Sequence, residues 1–268
     1  MMDSKQHQEL ALEVLNIQKE VGDFQKRYFR NLPPEAVEEK AEKDLVTKID
    51  IESEHLIREK LSQLTPGAEF FGEEMEKSSK RENLWIIDPI DGTTNFVHGL
   101  DQFCISIGYF DKSQIQIGCI YKPIGGDTFK AIRDHGLEYN GKPIPKSRSK
   151  SMEDSLIATG FPFRSRNLQV AFFKCADKVL EEARGIRRFG SAALDLAYVA
   201  CGFFQGFWET DLQPYDVAAG ILMIEESGCL YSQFSGENYR LFSDDSLVVG
   251  SESIFDRLQK ITHSCYCQ

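Results

Sequence analysis

The chain has no surplus of basic residues. Across 268 residues, 31 Lys and Arg face 42 Asp and Glu, a formal net charge of −11. Gripping a nucleic-acid backbone takes a basic face, so direct nucleic-acid binding is not expected. No run approaches the roughly 18–20 apolar residues needed to cross a bilayer, so no membrane partner is expected either. The opening "MMDSKQHQEL" lacks the apolar segment of a signal peptide, and a cytoplasmic location is the expectation. There is no Gly/Ser linker and no internal repeat, which predicts a single catalytic domain over 1–268 with lobes of about 1–145 and 146–268. Seven cysteines (104, 119, 175, 201, 229, 265 and 267) are an odd number and lie mostly in apolar runs, so reduced core thiols are predicted rather than a disulfide framework. The closing "HSCYCQ" matches no standard zinc spacing and reads as a frayed tail.

What is present is ample core material, with 41% hydrophobic residues and 19 Phe. Leu10, Val14, Ile17, Val21, Phe24 and Tyr28 recur at steps of three and four and predict a long amphipathic helix. "NLPPEAVEEKAEK" (31–43) breaks it and reads as a solvated, mobile loop. "DLVTKIDIESEHLIREKLSQL" opens a second helix, with Asp50 or Ser53 as its cap. "FCISIGYF", "QIQIGCIY" and "TFKAIRD", separated by turn signals, predict an antiparallel meander. Beyond residue 150, "SLIATGF", "IRRFG", "FQGFWE" and "SLVVGS" read as strands. Helices are expected at 167–183, in "SAALDLAYVACG", in "PYDVAAGILMIEESG" and in "SIFDRLQKI". Helices mixed with several sheet segments predict a layered α/β fold.

The stretch that concentrates chemistry is "WIIDPIDGTTNF" (85–96). "LWII" predicts a strand buried on both faces, ending near Asp88 because Pro89 has no donor for a ladder. Two carboxylates, Asp88 and Asp91, then emerge together. Close carboxylates repel, and a hard divalent cation removes the conflict with oxygen ligands. Gly92 allows close backbone approach, and Thr93, Thr94 and Asn95 are N-cap residues whose following amides suit a phosphate. A bare D-x-x-D-G also fits an Asx turn; the apolar strand before it and the threonine pair after it favour a metal. Glu73, Glu74, Glu209 and Asp216 lie at the ends of other predicted elements. No Cys or His nucleophile stands out.

"WIIDPIDGTTNFVHG" resembles the signature of the inositol monophosphatase family of lithium-sensitive, Mg²⁺-dependent phosphatases. "FFGEE", "DLVTKID" and "LQPYDVAAGILMIEESGC" resemble its other motifs, and "RRFGSAALDLAYVACGFFQGFWE" is similar to the connecting segment of bacterial members. The likeness covers residues 8–262. It implies an αβαβα sandwich of the sugar-phosphatase type, a homodimer, and two or three Mg²⁺ ions. Glu73, Asp88 and the Ile90 carbonyl would hold one ion, Asp88, Asp91 and Asp216 a second, and Glu73 with water a weaker third. Gly92 and Thr93 would hold the phosphate, Thr93 with Asp50 the attacking water, and Gly190, Ser191, Ala192 and Glu209 the hydroxyls of a small phosphorylated polyol. The implied activity is hydrolysis of myo-inositol monophosphate. Fructose 1,6-bisphosphate, 3'-phosphoadenosine 5'-phosphate and histidinol phosphate are alternative substrates. A further alternative is an extragenic-suppressor-type regulator with RNA polymerase and the transcription machinery as partner. Tyr215 stands where many relatives carry Trp. Lys40 and Lys43 compete for a role near the metals, and Arg164 is offered to a partner subunit without an assigned role.

Overall fold

The period-3.6 stripe at the N-terminus folds as helix α1 (Ser4–Lys26) in the computed structural model, which describes residues 4–33, 36–41, 44–111, 113–146 and 150–267. The helix stops short of Tyr28, which with Phe24 packs instead on a small cluster of Ile49, Ile90, Phe96 and Phe103. Where a mobile loop is predicted, β1 (Val37–Ala41) and β2 (Asp44–Thr47) pair as an antiparallel ribbon, so backbone pairing outweighs the charge run. Lys43 and the side chain of Lys40 lie outside the described residues. Helix α2 (Lys48–Leu64) follows at once. Its cap is neither Asp50 nor Ser53. Thr47 holds that place, with Asp50 completing a capping box three residues on.

The meander is present and longer than the three predicted strands. Strands β3 (Glu69–Gly72) and β4 (Leu84–Asp91) pair in parallel. The five-residue helix α3 (Thr93–Val97) leads to β5 (Cys104–Asp111), β6 (Gln114–Lys122), β7 (Asp127–Ile132), β8 (Gly136–Tyr139) and β9 (Lys142–Ile144), antiparallel throughout and completing a seven-stranded sheet in sequence order. The rest of the chain supplies β10 (Leu156–Thr159), α4 (Gln169–Glu182), β11 (Gly185–Arg187), α5 (Ala192–Ala200), β12 (Gly206–Glu209), α6 (Pro214–Ser227), β13 (Leu230–Ser232), β14 (Leu247–Gly250) and α7 (Phe255–Tyr266). Its five strands lie in the order β11-β10-β12-β14-β13.

Alternation along the strands builds the layers, because successive side chains point to opposite faces. Trp85 and Ile87 enter the core shared with α1 and α2, while Leu84 and Ile86 enter the core shared with α5 and α6. In the second sheet, Phe207, Leu247 and Val249 face that same central core. Trp208 and Val248 face α4 and α7. The result is α1/α2, sheet, α5/α6, sheet, α4/α7: an αβαβα sandwich. Gly108 and Gly118 pair across β5 and β6. A Cβ on Gly118 would lie 2.7 Å from the Ala219 carbonyl, so this pair lets α6 settle tightly on the first sheet and brings its first turn to the end of β4.

The C-terminal segment is not frayed: α7 runs to Tyr266, Cys265 is buried against the outer core, and Cys267 caps the helix in solvent. All seven cysteines are free thiols. No helix among the described residues is long and apolar enough to cross a membrane.

Candidate metal centre and substrate pocket

Strand β4 does not end at Asp88. It continues to Asp91, and its register with β5 slips between those two residues. Pro89 explains the slip, since it cannot donate to the ladder. Its carbonyl finds a partner elsewhere: the buried Gln25 of α1 donates to it through Nε2 at 2.8 Å. The slip leaves both acids at the strand end. Asp88 turns one oxygen back to the Ile90 N–H at 3.0 Å. Asp91 is held from the other half of the chain, where the Ser191 hydroxyl donates at 2.6 Å and the Ala193 N–H at 2.7 Å, both at the start of α5. The Cys104 thiol lies 3.8 Å from the same oxygen.

Asp216 enters from α6. Pro214 occupies the first turn, and Asp216 closes a capping box by accepting from the Gln213 N–H at 2.6 Å. Ligand oxygens of Asp88, Asp91 and Asp216 all lie within 4.8 Å of one another, the one such acid cluster found among the described residues. Burial, joined by repulsion from Glu73 and Asp91, pushes Asp88 well above the usual carboxylate range. Burial lifts Asp91 to about 6 against the bonds from Ser191 and Ala193, and burial with the Asp91 charge lifts Asp216 to about 7. Acids packed so closely hold protons or a cation. With oxygen donors only, the set fits a hard divalent ion such as Mg²⁺. Glu73 lines the same pocket, as does Ile90, whose carbonyl accepts from the Thr93 hydroxyl at 3.0 Å.

Asp50 is fully buried and does not line the pocket, but it reaches it through Thr93, whose Oγ1 lies 3.0 Å from Asp50 Oδ1. Burial raises Asp50 to about 6 despite a hydrogen bond from the Thr47 hydroxyl. The predicted short helix exists as α3. Its cap is Gly92 itself, in the left-handed region at φ 97°, rather than a threonine or asparagine side chain. A Cβ there would lie 2.9 Å from the Gln102 carbonyl, so both conformation and close approach call for glycine.

Gly190, Ala192 and Glu209 line the pocket as well. Ser191, expected beside them, turns inward: it is 2% exposed, and its hydroxyl serves Asp91 and caps α5. Burial and the nearby Asp216 raise Glu209 to about 8. Arg164 lines this pocket rather than only an outer surface. Arg188, Thr210 and Asp211 line it as well, and sequence reasoning did not single them out. Arg188 rests 5.2 Å over the Phe161 ring and Arg164 5.2 Å over Phe163. The alternation in "FPFR", facing the "RR" before Phe189, was the available signal. Also missed was Asp195 of α5, which is buried with Oδ1 lacking a hydrogen-bond partner. Burial and Glu209 hold its carboxyl well above the usual range.

Residues 6–267 match the profile described as the inositol monophosphatase family. The chain is 36% identical over 250 residues to a protein of Pseudomonas aeruginosa named Nus factor SuhB, covering 91% of this chain and 92% of that one. It is 38% identical over 220 residues to a Rhizobium meliloti protein named inositol-1-monophosphatase, covering 81% and 82%. The crystal structure of the extragenic suppressor protein SuhB of Bartonella henselae superposes with a TM-score of 0.87 at 36% identity, over 94% of this chain and 97% of the other.

Proposed function

The chain belongs to the inositol monophosphatase family, and from that premise we propose that its pocket hydrolyses myo-inositol monophosphate to inositol and phosphate with Mg²⁺ as cofactor. It is a phosphoric monoester hydrolase. The observation that carries the reading is the convergence of Asp88, Asp91 and Asp216, from β4 and α6, within 4.8 Å. In this proposal Asp88, Asp91 and Asp216 hold one ion and Glu73, Asp88 and the Ile90 carbonyl another, with a weaker third on Glu73. Bound there, Mg²⁺ supplies an activated water and charge to stabilise the leaving oxygen. The remaining work is positioning. Gly92 and Thr93 present backbone to the phosphate. Thr93 Oγ1, between Asp50 Oδ1 and the Ile90 carbonyl, steers the water and passes its proton toward Asp50, whose pKa near 6 suits a proton acceptor at neutral pH. Glu209, with Gly190 and Ala192, takes the polyol hydroxyls, and Ser191 acts by fixing Asp91.

A panel of phosphate esters, assayed with Mg²⁺, then with Li⁺, then in excess EDTA, tests this. Inositol monophosphate turnover that needs Mg²⁺ and falls with Li⁺ is expected. Turnover that persists in excess EDTA overturns the metal assignment, and a preference for fructose 1,6-bisphosphate, 3'-phosphoadenosine 5'-phosphate or histidinol phosphate moves the substrate.

A second reading, association with the transcription machinery, draws on the relative named Nus factor SuhB. Asp91→Asn separates the two: phosphatase activity is lost, whereas binding of RNA polymerase by a regulator survives. A homodimer, expected from the family resemblance, is tested by light scattering in solution.

A further inference from the structure

Helix α2 presents Asp50, Glu54 and Arg58 at i, i+4 and i+8, a spacing that puts all three on one face. Asp50 reaches Thr93, as described. Glu54 has 0% exposure, and both its oxygens are engaged. Oε2 accepts from the Glu74 N–H at 2.7 Å. Oε1 takes a forked pair from Arg58, Nε at 2.7 Å and NH2 at 2.6 Å. Arg58 extends the clamp. Its NH2 also donates to the Glu76 carbonyl at 3.0 Å, and its guanidinium lies 5.3 Å from the centre of the Phe70 ring. On the other side of Glu73, a Cβ on Gly72 would collide with the Glu54 carboxylate, so Gly72 is the residue that makes room for it. Both chain neighbours of Glu73 therefore rest against one buried carboxylate.

A buried ion pair is a poor source of net stability, because desolvation cancels most of the attraction, and apolar replacements often serve as well. Its geometry, in contrast, is directional. We propose that Glu54, locked by Arg58, is a positioning residue that holds the 72–76 turn in register with α2 and so aims the Glu73 carboxylate into the pocket. The same helix anchors the 88–93 segment twice, through Asp50 to Thr93 and through Ser53, which accepts at 3.1 Å from the Gln25 amide that also holds the Pro89 carbonyl. One helical face thus sets the distance between the Glu73 turn and the Asp88–Asp91 pair. The proposal rests on the metal reading of the site.

The test is direct Mg²⁺ binding by calorimetry, without substrate, on the full chain, alongside the Mg²⁺ dependence of activity. Removing partners that orient metal ligands costs about 10–100-fold in affinity. Glu54→Ala is expected to weaken Mg²⁺ binding by about 10-fold or more, with kcat at saturating Mg²⁺ within about 3-fold of the parent protein. Glu54→Gln keeps an acceptor for the Glu74 N–H, so it should recover most of that loss. In a Glu73→Gln background, Glu54→Ala should add less than about 2-fold, because the two act as one unit. Should Glu54→Ala fail to fold, Arg58→Lys, which keeps the charge and loses the fork, should still weaken binding by about 3-fold. Unchanged Mg²⁺ affinity in the folded variants, or fully additive losses with Glu73→Gln, overturns the proposal. Absence of Mg²⁺ binding in the parent protein instead sinks the metal reading itself.

Discussion

The residues that line the pocket form two sets, an acid wall and an open wall, built on opposite plans. On the acid wall, Asp88 is 1% exposed, and oxygens of Asp88, Asp91 and Asp216 are already bonded to the N–H groups of Ile90, Ala193 and Gln213. Those partners come from three segments far apart in the chain, so the wall is fixed by the whole sandwich. On the open wall, which also holds Glu209, the cationic groups are the exposed Arg164 and Arg188, both stacked on aromatic rings of the short "FPFR" segment. A phosphate ester presents one invariant part and one variable part. The closed wall suits the invariant phosphate and its cations, and the open wall suits the alcohol. Changes on the first should destroy turnover, and changes on the second should redistribute it among substrates.

The largest effect tests that division most severely. Asp88→Asn removes a carboxylate from the centre of the cluster, and a loss of about 10³-fold or more in kcat is expected, equivalent to about 4 kcal/mol of transition-state stabilisation. Glu209→Gln keeps the shape and hydrogen-bonding reach of the open wall. Its cost is expected in KM for the polyol, at about 10-fold. Steady-state kinetics of both variants at saturating Mg²⁺ decides it. Comparable losses in kcat would erase the distinction between the walls.

The buried acids of both walls also predict a pH response, Asp91 and Asp216 on the acid wall and Glu209 on the open one. In the folded protein without metal, burial holds Asp91 at about 6, burial with the Asp91 charge holds Asp216 at about 7, and burial with the Asp216 charge holds Glu209 at about 8, all above the ordinary carboxylate range. The folded state therefore binds more protons than the unfolded chain between about pH 4 and 8. Stability must fall as pH rises through that window. Metal-free protein should melt lower at pH 8 than at pH 5.5, and Mg²⁺ should reduce the difference by neutralising Asp91 and Asp216. Thermal melts at the two pH values, with and without Mg²⁺, measure it. A metal-free protein more stable at pH 8 would contradict the packing of the acid wall.

Much of this was legible in the sequence because it obeys local rules. "LWII" announces a strand buried on both sides, and the Pro214 and Gly228 limits of α6 follow from helix-end chemistry. The convergence of Asp88, Asp91 and Asp216 was legible only because family motifs stood in place of tertiary information. What escaped depends on contacts across the fold. The β1–β2 ribbon hides in a charge run because pairing does not require apolar side chains. The slip at Pro89 needs a buried Gln25 from another helix to satisfy its carbonyl. Ser191 turned inward because Asp91, a hundred residues earlier in the chain, needed its proton. Asp195 carried no signal beyond composition, and Arg188 only the alternation of "FPFR" and the "RR" before Phe189, since nothing local tells a pocket arginine from a surface one.

The smallest expected effect sharpens the picture of the open wall. Arg188 is solvent-exposed, yet it lies over the Phe161 ring, which packs edge-on against Phe172 at 5.2 Å, and Phe172 stacks on Trp208. Its position is supported from the outer core even though its charge is in water. An exposed charge contributes about 1 kcal/mol or less, and the contribution shrinks as salt screens it. Arg188→Ala should therefore raise KM by about 2- to 5-fold at low ionic strength, leave kcat unchanged, and approach the parent protein at high salt. A salt-independent rise in KM would mean that the guanidinium acts through shape and hydrogen bonding. A fall in kcat would mean that this wall, too, takes part in the chemistry.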